Sequence, residues 1–378
     1  MTAISMVDLK GQYQKIKGEI DTKMQEVIDT AAFIKGPQVK QFEDHLARYL
    51  GANHVVACGN GTDALQIALM ALGLQPGDEV ITADFTFIAT VEVVALLGLK
   101  PVLVDVDPDT YTIDIEKLEK AITPRTKVII PVHLFGQCAD MEPIMLLAKK
   151  HNLFVVEDSA QATGATYTFA DGTTKHAGTI GHMGTTSFFP SKNLGCYGDG
   201  GALFTNDDLL AQKIRMVANH GMKVRYHHEV IGVNSRLDSL QAAVLDVKLK
   251  YLDQYNSSRR AAADYYDAAF EGIAGVATPL RAENSSHIFH QYTLVLDEDV
   301  DRSDMVKFLD SKGIPSMIYY PIPLHRQEAL GVAKGKDTDF PVTEMLCSRV
   351  LSLPMHTELT EEQLSYISNA VVEYLSNR

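Results

Sequence analysis

Residues 127–136 read KVIIPVHLFG and residues 153–158 read LFVVED. Both are near-continuous apolar runs, the composition of strands buried on two faces, which occur where helices cover a mostly parallel sheet. Outward from this pair the same grammar repeats from about residue 53 onward. HVVAC (54–58) leads through a glycine turn into the helical TDALQIALMALG (62–73), and EVIT (79–82) leads into the helical ATVEVVALLG (89–98). PVLVDVD (101–107), GTTSFFP (184–190) and GALFTND (201–207) bring the strands to seven, the last running into the helix DLLAQKIRMVANHG (208–221). Strands and helices in alternation specify an α/β fold.

A long helix is expected from about Asp238 to Phe270, where apolar and charged residues interleave at helical spacing. Beyond it HQYTLVLD (290–297), GIPSMIYYP (313–321) and VLSLPMH (350–356) read as strands between the helical DRSDMVKFLDSKG (301–313) and EEQLSYISNAVVEYL (361–375). That is the pattern of a smaller α+β domain. The chain of 378 residues is long enough for two domains, expected over 1–255 and 256–378 with the long helix crossing the boundary.

Hydrophobic residues make up 46% and charged residues 22%, ordinary for a globular protein with a substantial core. Apolar stretches such as VEVVALLGL (91–99) fall short of the ~20 residues that span a bilayer, so no membrane partner is expected. The first twenty residues carry no basic region followed by an apolar one, so a cytoplasmic protein is expected. The formal net charge of −14 opposes general nucleic-acid binding. It also means that an anionic ligand must be met by a local cluster of basic groups. Cys58, Cys138, Cys196 and Cys347 stand far apart with no C-x-x-C pair, which predicts buried thiols and no metal site.

Three motifs carry chemistry. Gly59-Asn60-Gly61-Thr62-Asp63-Ala64 fits G-x-G-x-x-A between a strand and a helix, with Asp84 twenty residues beyond Ala64. This is compatible with a dinucleotide fingerprint, with a single-phosphate site at a helix N-terminus, or with a plain glycine turn. Asp158 ends a buried strand, and ligands of open α/β sheets sit beyond the carboxyl ends of strands. Such a carboxylate needs a cation, for which a protonated pyridine nitrogen serves, unless it caps a helix. The third motif is Ser187-Phe188-Phe189-Pro190-Ser191-Lys192, just before the glycine-rich Gly195–Gly201. A lysine desolvated there loses its proton readily and attacks an aldehyde. A hydride-transfer enzyme has no use for this lysine, whereas a Schiff-base enzyme requires it.

Asn60–Leu65, Glu157–Gln161, Ser187–Gly195, Gly198–Ala202 and Gly232–Asp238 occur in an order and spacing that resemble the sugar aminotransferases of the DegT/DnrJ/EryC1/StrS family, within the aspartate aminotransferase superfamily (fold type I). The resemblance runs from Val7-Asp8-Leu9 to Leu353-Pro354-Met355-His356. It implies pyridoxal 5'-phosphate as cofactor, bound covalently by Lys192 and paired through its ring nitrogen with Asp158. It further implies Gln161 beside the cofactor's 3-hydroxyl, Phe85 over the ring face, and Gly61, Thr62 and Ser187 at the phosphate. Asn234 would come from a neighbouring subunit, making a homodimer with shared active sites. Some relatives with histidine at the lysine position are dehydratases, so Lys192 favours transamination. The implied reaction has two halves, L-glutamate giving its amino group and a nucleotide-linked keto sugar taking it, with ping-pong kinetics.

The stretches 188–202, Arg225-Tyr226-His227-His228 and 232–238 are most similar to enzymes that aminate UDP-2-acetamido-2-deoxy-3-oxo-glucuronate at C3 for surface polysaccharides such as O-antigen. Arg236 would then meet the uronate carboxylate, or else form a structural ion pair with Asp238 or another acid. Arg225, His227 and His228 would face diphosphate or form a solvated loop. That subgroup carries His-Tyr-Pro-Ile-Pro-Leu where this chain has Tyr319-Tyr320-Pro321-Ile322-Pro323-Leu324. Tyrosine donates a hydrogen bond but lacks the charge of histidine, which leaves dTDP-linked 3-keto or 4-keto sugars as alternative substrates. Tyr319, Tyr320 and His325 are the expected substrate contacts here. Of the readings from other classes, a nicotinamide dehydrogenase rests on the glycine fingerprint alone, and a catalytically silent regulator leaves the intact lysine and aspartate unused.

Overall fold

The computed structural model describes residues 3–331 and 339–377. Helices α1 (Leu9–Thr30) and α2 (Pro37–Leu50) precede strand β1 (His54–Cys58). Then follow α3 (Gly61–Ala71), β2 (Glu79–Ala83), α4 (Ala89–Leu96), β3 (Lys100–Val104), α5 (Ile115–Ala121), β4 (Thr126–Ile130), α6 (Met141–His151) and β5 (Phe154–Asp158). A hairpin of β6 (Thr166–Thr168) and β7 (Thr174–His176) leads to β8 (Met183–Ser187), β9 (Gly201–Thr205) and α7 (Asp208–Val217). The central sheet has seven strands in the order β1-β9-β8-β5-β4-β2-β3, with only β9 antiparallel to its neighbours. This is the mostly parallel α/β sheet expected.

Successive residues of each strand feed opposite cores, as the two-residue period of a strand requires. Val56, Val80, Val128 and Ile130 join one cluster with Leu65 of α3, Val93 of α4 and Ile214 of α7. Ile81, Ile129 and Val155 join another with Met141 and Ile144 of α6. Val55, Ala57 and Phe204 pack under Phe42 and Leu46 of α2. Both faces are therefore covered, and the carboxyl edge of the parallel strands is where polar side chains gather. The four cysteines are buried and free, as expected. Among the described residues no helix is long and apolar enough to cross a membrane.

The structure departs from the sequence reading in three places. After the exposed hairpin β10 (Met222–Val224) and β11 (His227–His228), the long helix is two, α8 (Ser239–Leu249) and α9 (Leu252–Phe270). Lys250 and Tyr251 donate to Val247 and Lys248, three residues back, and this tighter turn separates the two helices. GIPSMIYYP is no strand. Pro315 and Pro321 bring no N–H to a ladder, and only Met317 bridges, to Ser352. The rest of the segment carries Tyr319 and Tyr320 toward the sheet edge. The run KVIIPVHLFG stops as a strand at Ile130, before Pro131. The small antiparallel sheet is β12 (Val276–Ala277), β13 (Tyr292–Leu296) and β14 (Val350–Leu353), with α10 (Arg302–Ser311), α11 (Pro341–Arg349) and α12 (Glu361–Ser376) around it.

Two glycines let the edge close. A Cβ on Gly61 would stand 2.8 Å from Cβ of Ser187, and one on Gly201 would stand 2.4 Å from the backbone of Asn60. Gly201→Ala should therefore push the 59–61 turn off β9 and destabilise the protein by roughly 1–3 kcal/mol, read as a lower urea midpoint.

Candidate active site

The carboxyl ends of β1, β5 and β8 converge. At the first, Asn60 caps α3 by accepting from the Asp63 N–H at 2.8 Å, Gly61 and Thr62 open the helix, and Gly61 lies against Ser187. A helix N-terminus with an adjacent hydroxyl is suited to a phosphate.

Asp158 closes β5 and is buried; it accepts from Thr90 Oγ1 at 2.8 Å and from the Ala160 N–H at 3.1 Å. No helix starts after it, so the helix-cap alternative is set aside. Its neighbour Glu157 is fully buried and accepts from the N–H groups of Gly178, Ile180 and Gly181 and pairs with His133 Nε2 at 2.8 Å. Glu157 thus fastens the 178–181 turn beside β5.

Lys192 follows the turn after β8, its N–H bonded to the Phe189 carbonyl. Burial pulls its ammonium down from the usual range to about 8, the Asp158 carboxylate opposing part of that fall. The next residue, Asn193, donates to Asn256 Oδ1 at 2.7 Å and to the Ile288 carbonyl at 3.2 Å, tying the lysine turn to α9 and to the 288–290 segment. On that segment stands His290, buried, with Nδ1 lacking a partner; burial first, then Lys192 and Arg259, hold it well below the usual histidine range.

Gln161 Oε1 accepts from the Phe135 N–H at 2.6 Å, and its amide donates to the Tyr320 hydroxyl at 3.1 Å. Phe85 is buried, edge-on to Tyr111, Phe135 and Tyr320 with ring centroids 6.1–6.4 Å away. A lysine of lowered pKa, a buried carboxylate, an aromatic wall and a helix N-terminus form one constellation. They fit the aldehyde, ring nitrogen and phosphate of pyridoxal phosphate.

The sequence pattern of the DegT/DnrJ/EryC1/StrS aminotransferase family matches residues 14–372. The chain belongs to this family. It is 47% identical to the "UDP-2-acetamido-2-deoxy-3-oxo-D-glucuronate aminotransferase" of Pseudomonas aeruginosa, over 97% of this chain and 99% of the relative. It is also 47% identical to a "pleiotropic regulatory protein" of Geobacillus stearothermophilus, over 98% of both. A "UDP-N-acetyl-3-dehydro-alpha-D-glucosamine 3-aminotransferase" of Acidithiobacillus ferrooxidans shares 46% identity, over 98% of this chain and 97% of the relative. Among solved structures, S. venezuelae DesV in complex with a ketimine intermediate superposes with a TM-score of 0.94 at 38% identity, covering 99% of each chain.

Other predicted residues of this aminotransferase lie elsewhere. Asn234 is exposed and bridges through its backbone to Asn219. Arg236 lines a cleft beside Lys35, and among the described residues it has no carboxylate partner, so the ion pair with Asp238 does not form. Arg225, His227 and His228 are exposed on the β10–β11 hairpin, where His228 Nδ1 lies 2.7 Å from the His220 carbonyl. Tyr319 is half-buried beside Tyr320. His325 is placed otherwise than expected of a substrate contact. Its imidazole is buried, with Nδ1 2.6 Å from Asp84 Oδ2 and Nε2 2.9 Å from Glu344 Oε1. Asp84 is thereby consumed, and the ribose contact of a dinucleotide fingerprint with it. Thr90, Glu157, Phe135 and His290 escaped the sequence reading; only Glu157 had a local signal, its place beside Asp158.

The lysine sets a pH dependence. Its folded value lies near 8, below its ordinary 10.5, so the reactive neutral amine is depleted as pH falls through 8. The rate at which apoprotein captures added pyridoxal phosphate, followed by absorbance, should rise with pH and level off above about 8.

Proposed function

We propose that the chain transfers the amino group of L-glutamate to C3 of UDP-2-acetamido-2-deoxy-3-oxo-D-glucuronate. The observation that carries this reading is the desolvated Lys192 beside Asp158 at the carboxyl edge, in a member of a sugar-aminotransferase family. Bound there, pyridoxal phosphate supplies an electron sink and a carbonyl that carries the amino group between the two substrates.

The remaining work falls to the protein's own groups. Asp158, fixed by Thr90 and Ala160, holds a proton on the ring nitrogen. The N–H groups of Gly61 and Thr62 and the Ser187 hydroxyl hold the phosphate, and the Gln161 amide stands beside the 3-hydroxyl. Phe85 walls the ring. Lys192 Nζ takes the proton from Cα of glutamate in the first half-reaction and returns one to the sugar carbon in the second. The family resemblance puts Asn234 in the phosphate site of a second copy, a homodimer with shared sites, and the exposure of Asn234 is compatible with that role. The setting of the reading is cytoplasmic synthesis of a surface-polysaccharide precursor such as an O-antigen unit.

Arg236, without a carboxylate partner among the described residues, is available to the uronate group. A second reading, an uncharged 3-keto sugar, is favoured by Tyr319, which brings no positive charge where the uronate subgroup has histidine.

L-Glutamate added to the pyridoxal-phosphate-loaded protein should convert its absorbance to that of the pyridoxamine form. Lys192→Ala should slow this by roughly 10³-fold. Bound cofactor that responds to no amino donor would instead identify a silent regulator. A panel of UDP- and dTDP-linked keto sugars, generated in place, then decides the acceptor: turnover of an uncharged or dTDP-linked sugar in preference to the uronate overturns the substrate assignment.

A further inference from the structure

A second lysine is buried near the site. Lys248, close to the end of α8, is 1% exposed, and among the described residues no carboxylate partners it. A cation in the interior without an acid is costly unless its donors are used in another way. Lys248 Nζ donates to the Gly195 carbonyl at 2.5 Å and lies 5.3 Å from the centroid of the Tyr197 ring, within cation–π range. Burial presses its ammonium down to about 8.

The carbonyl it holds belongs to the loop that carries Lys192. Residues 188–196 close on themselves, the Cys196 N–H donating to the Phe188 carbonyl at 2.8 Å and the Lys192 N–H to the Phe189 carbonyl at 2.8 Å. Gly195 crosses Pro190 so closely that a Cβ would stand 2.3 Å from the Pro190 carbonyl oxygen. From the same helix α8, Gln241 Oε1 accepts from the Tyr197 N–H at 2.8 Å, one residue past the loop.

The 288–290 segment, to which Asn193 ties this loop, is held alike. There the buried Arg259 of α9 donates through Nη1 to the carbonyls of Phe289 at 3.1 Å, His290 at 3.3 Å and Met355 at 2.9 Å. Two buried cations thus give their N–H groups to backbone carbonyls around Lys192. The backbone needs this restraint, because Lys192 Nζ must reach Cα of the donor in one half-reaction and the sugar carbon in the other. A flexible side chain meets both carbons in the same place only if its backbone stays still.

We propose that Lys248 is a positioning residue for Lys192, fixing the 188–196 loop through the Gly195 carbonyl so that the free amine stays aligned with the reacting carbon. The inference rests on the role of Lys192 in the aminotransferase reading above.

The test is single-turnover reaction of the pyridoxal-phosphate-loaded protein with L-glutamate, followed by absorbance over a range of glutamate concentrations. Lys248→Met keeps the length of the side chain and removes the donor. Loss of a buried charge offsets the carbonyl left unpaired, so this variant should melt near the wild-type temperature. Its rate at saturating glutamate should fall roughly tenfold or more with the half-saturating concentration unchanged. Its apoprotein should capture added pyridoxal phosphate more slowly by a similar factor. Lys250→Met, on the exposed neighbour that pairs with Glu19, should change neither rate. Gln241→Ala frees the same loop from α8 without touching the buried charge; it should slow both rates roughly threefold, and it carries the test if Lys248→Met does not fold. Wild-type rates in Lys248→Met, or in Gln241→Ala where that variant carries the test, overturn the proposal. So does a loss confined to the half-saturating concentration, or one that Lys250→Met shares. Failure of the aminotransferase reading would show separately, as wild-type cofactor absorbance that L-glutamate does not change.

Discussion

Glu157 and Asp158 stand next to each other at the end of a strand with helices on both sides, and burying two carboxylates there is costly unless each finds a counterpart. The strand's alternation sends them to opposite faces, where they meet opposite fates. Glu157 is satisfied from within, by three backbone N–H groups and His133. The Asp158 carboxylate accepts, among the described residues, from Thr90 and Ala160 alone, within charge range of Lys192. One carboxylate is structural and holds the 178–181 turn in place. The other keeps capacity for a cation and faces the edge where a ligand would lie. The arrangement of the site follows from that division.

Lys192 shows the balance of two effects. Burial disfavours its charged form, and the Asp158 carboxylate favours it; burial is the larger, so the amine lies near 8 rather than above 10. A lysine closer to the carboxylate would stay protonated and inert, and one in water would do the same. The turn is fixed by Asn193, which reaches Asn256 on α9 and the Ile288 carbonyl, so the small-sheet half of the chain helps position the reactive group. Basicity at this site is a product of packing as much as of residue type.

Local patterns were read well where their physics is local. The apolar runs of β4 and β5 and the alternating helices predicted a covered parallel sheet, and it is there. The glycine motif at 59–61 left three readings open, because backbone N–H groups at a helix start look alike in sequence whatever ligand they meet. The segment 313–321 misled because β-branched and aromatic residues promise a strand, while its prolines deny the ladder. The helix expected to run unbroken from 238 to 270 parts at Lys250–Tyr251, where hydrogen bonds three residues back tighten a turn that periodicity alone does not mark.

The sequence by itself determined the fold class, the motif order of a sugar aminotransferase, and the candidacy of Lys192 and Asp158, since each depends on residue type and spacing over a few positions. Tertiary structure decided which charges are spent and which remain. Asp84 and His325, 241 residues apart, meet in a hydrogen bond in the interior. Arg236 comes beside Lys35 and finds cations instead of the acid two residues along the chain. His290 arrives next to Lys192 from the far side of α9. A charge's partner is chosen by the packing of distant elements in low dielectric, and no local pattern encodes that choice.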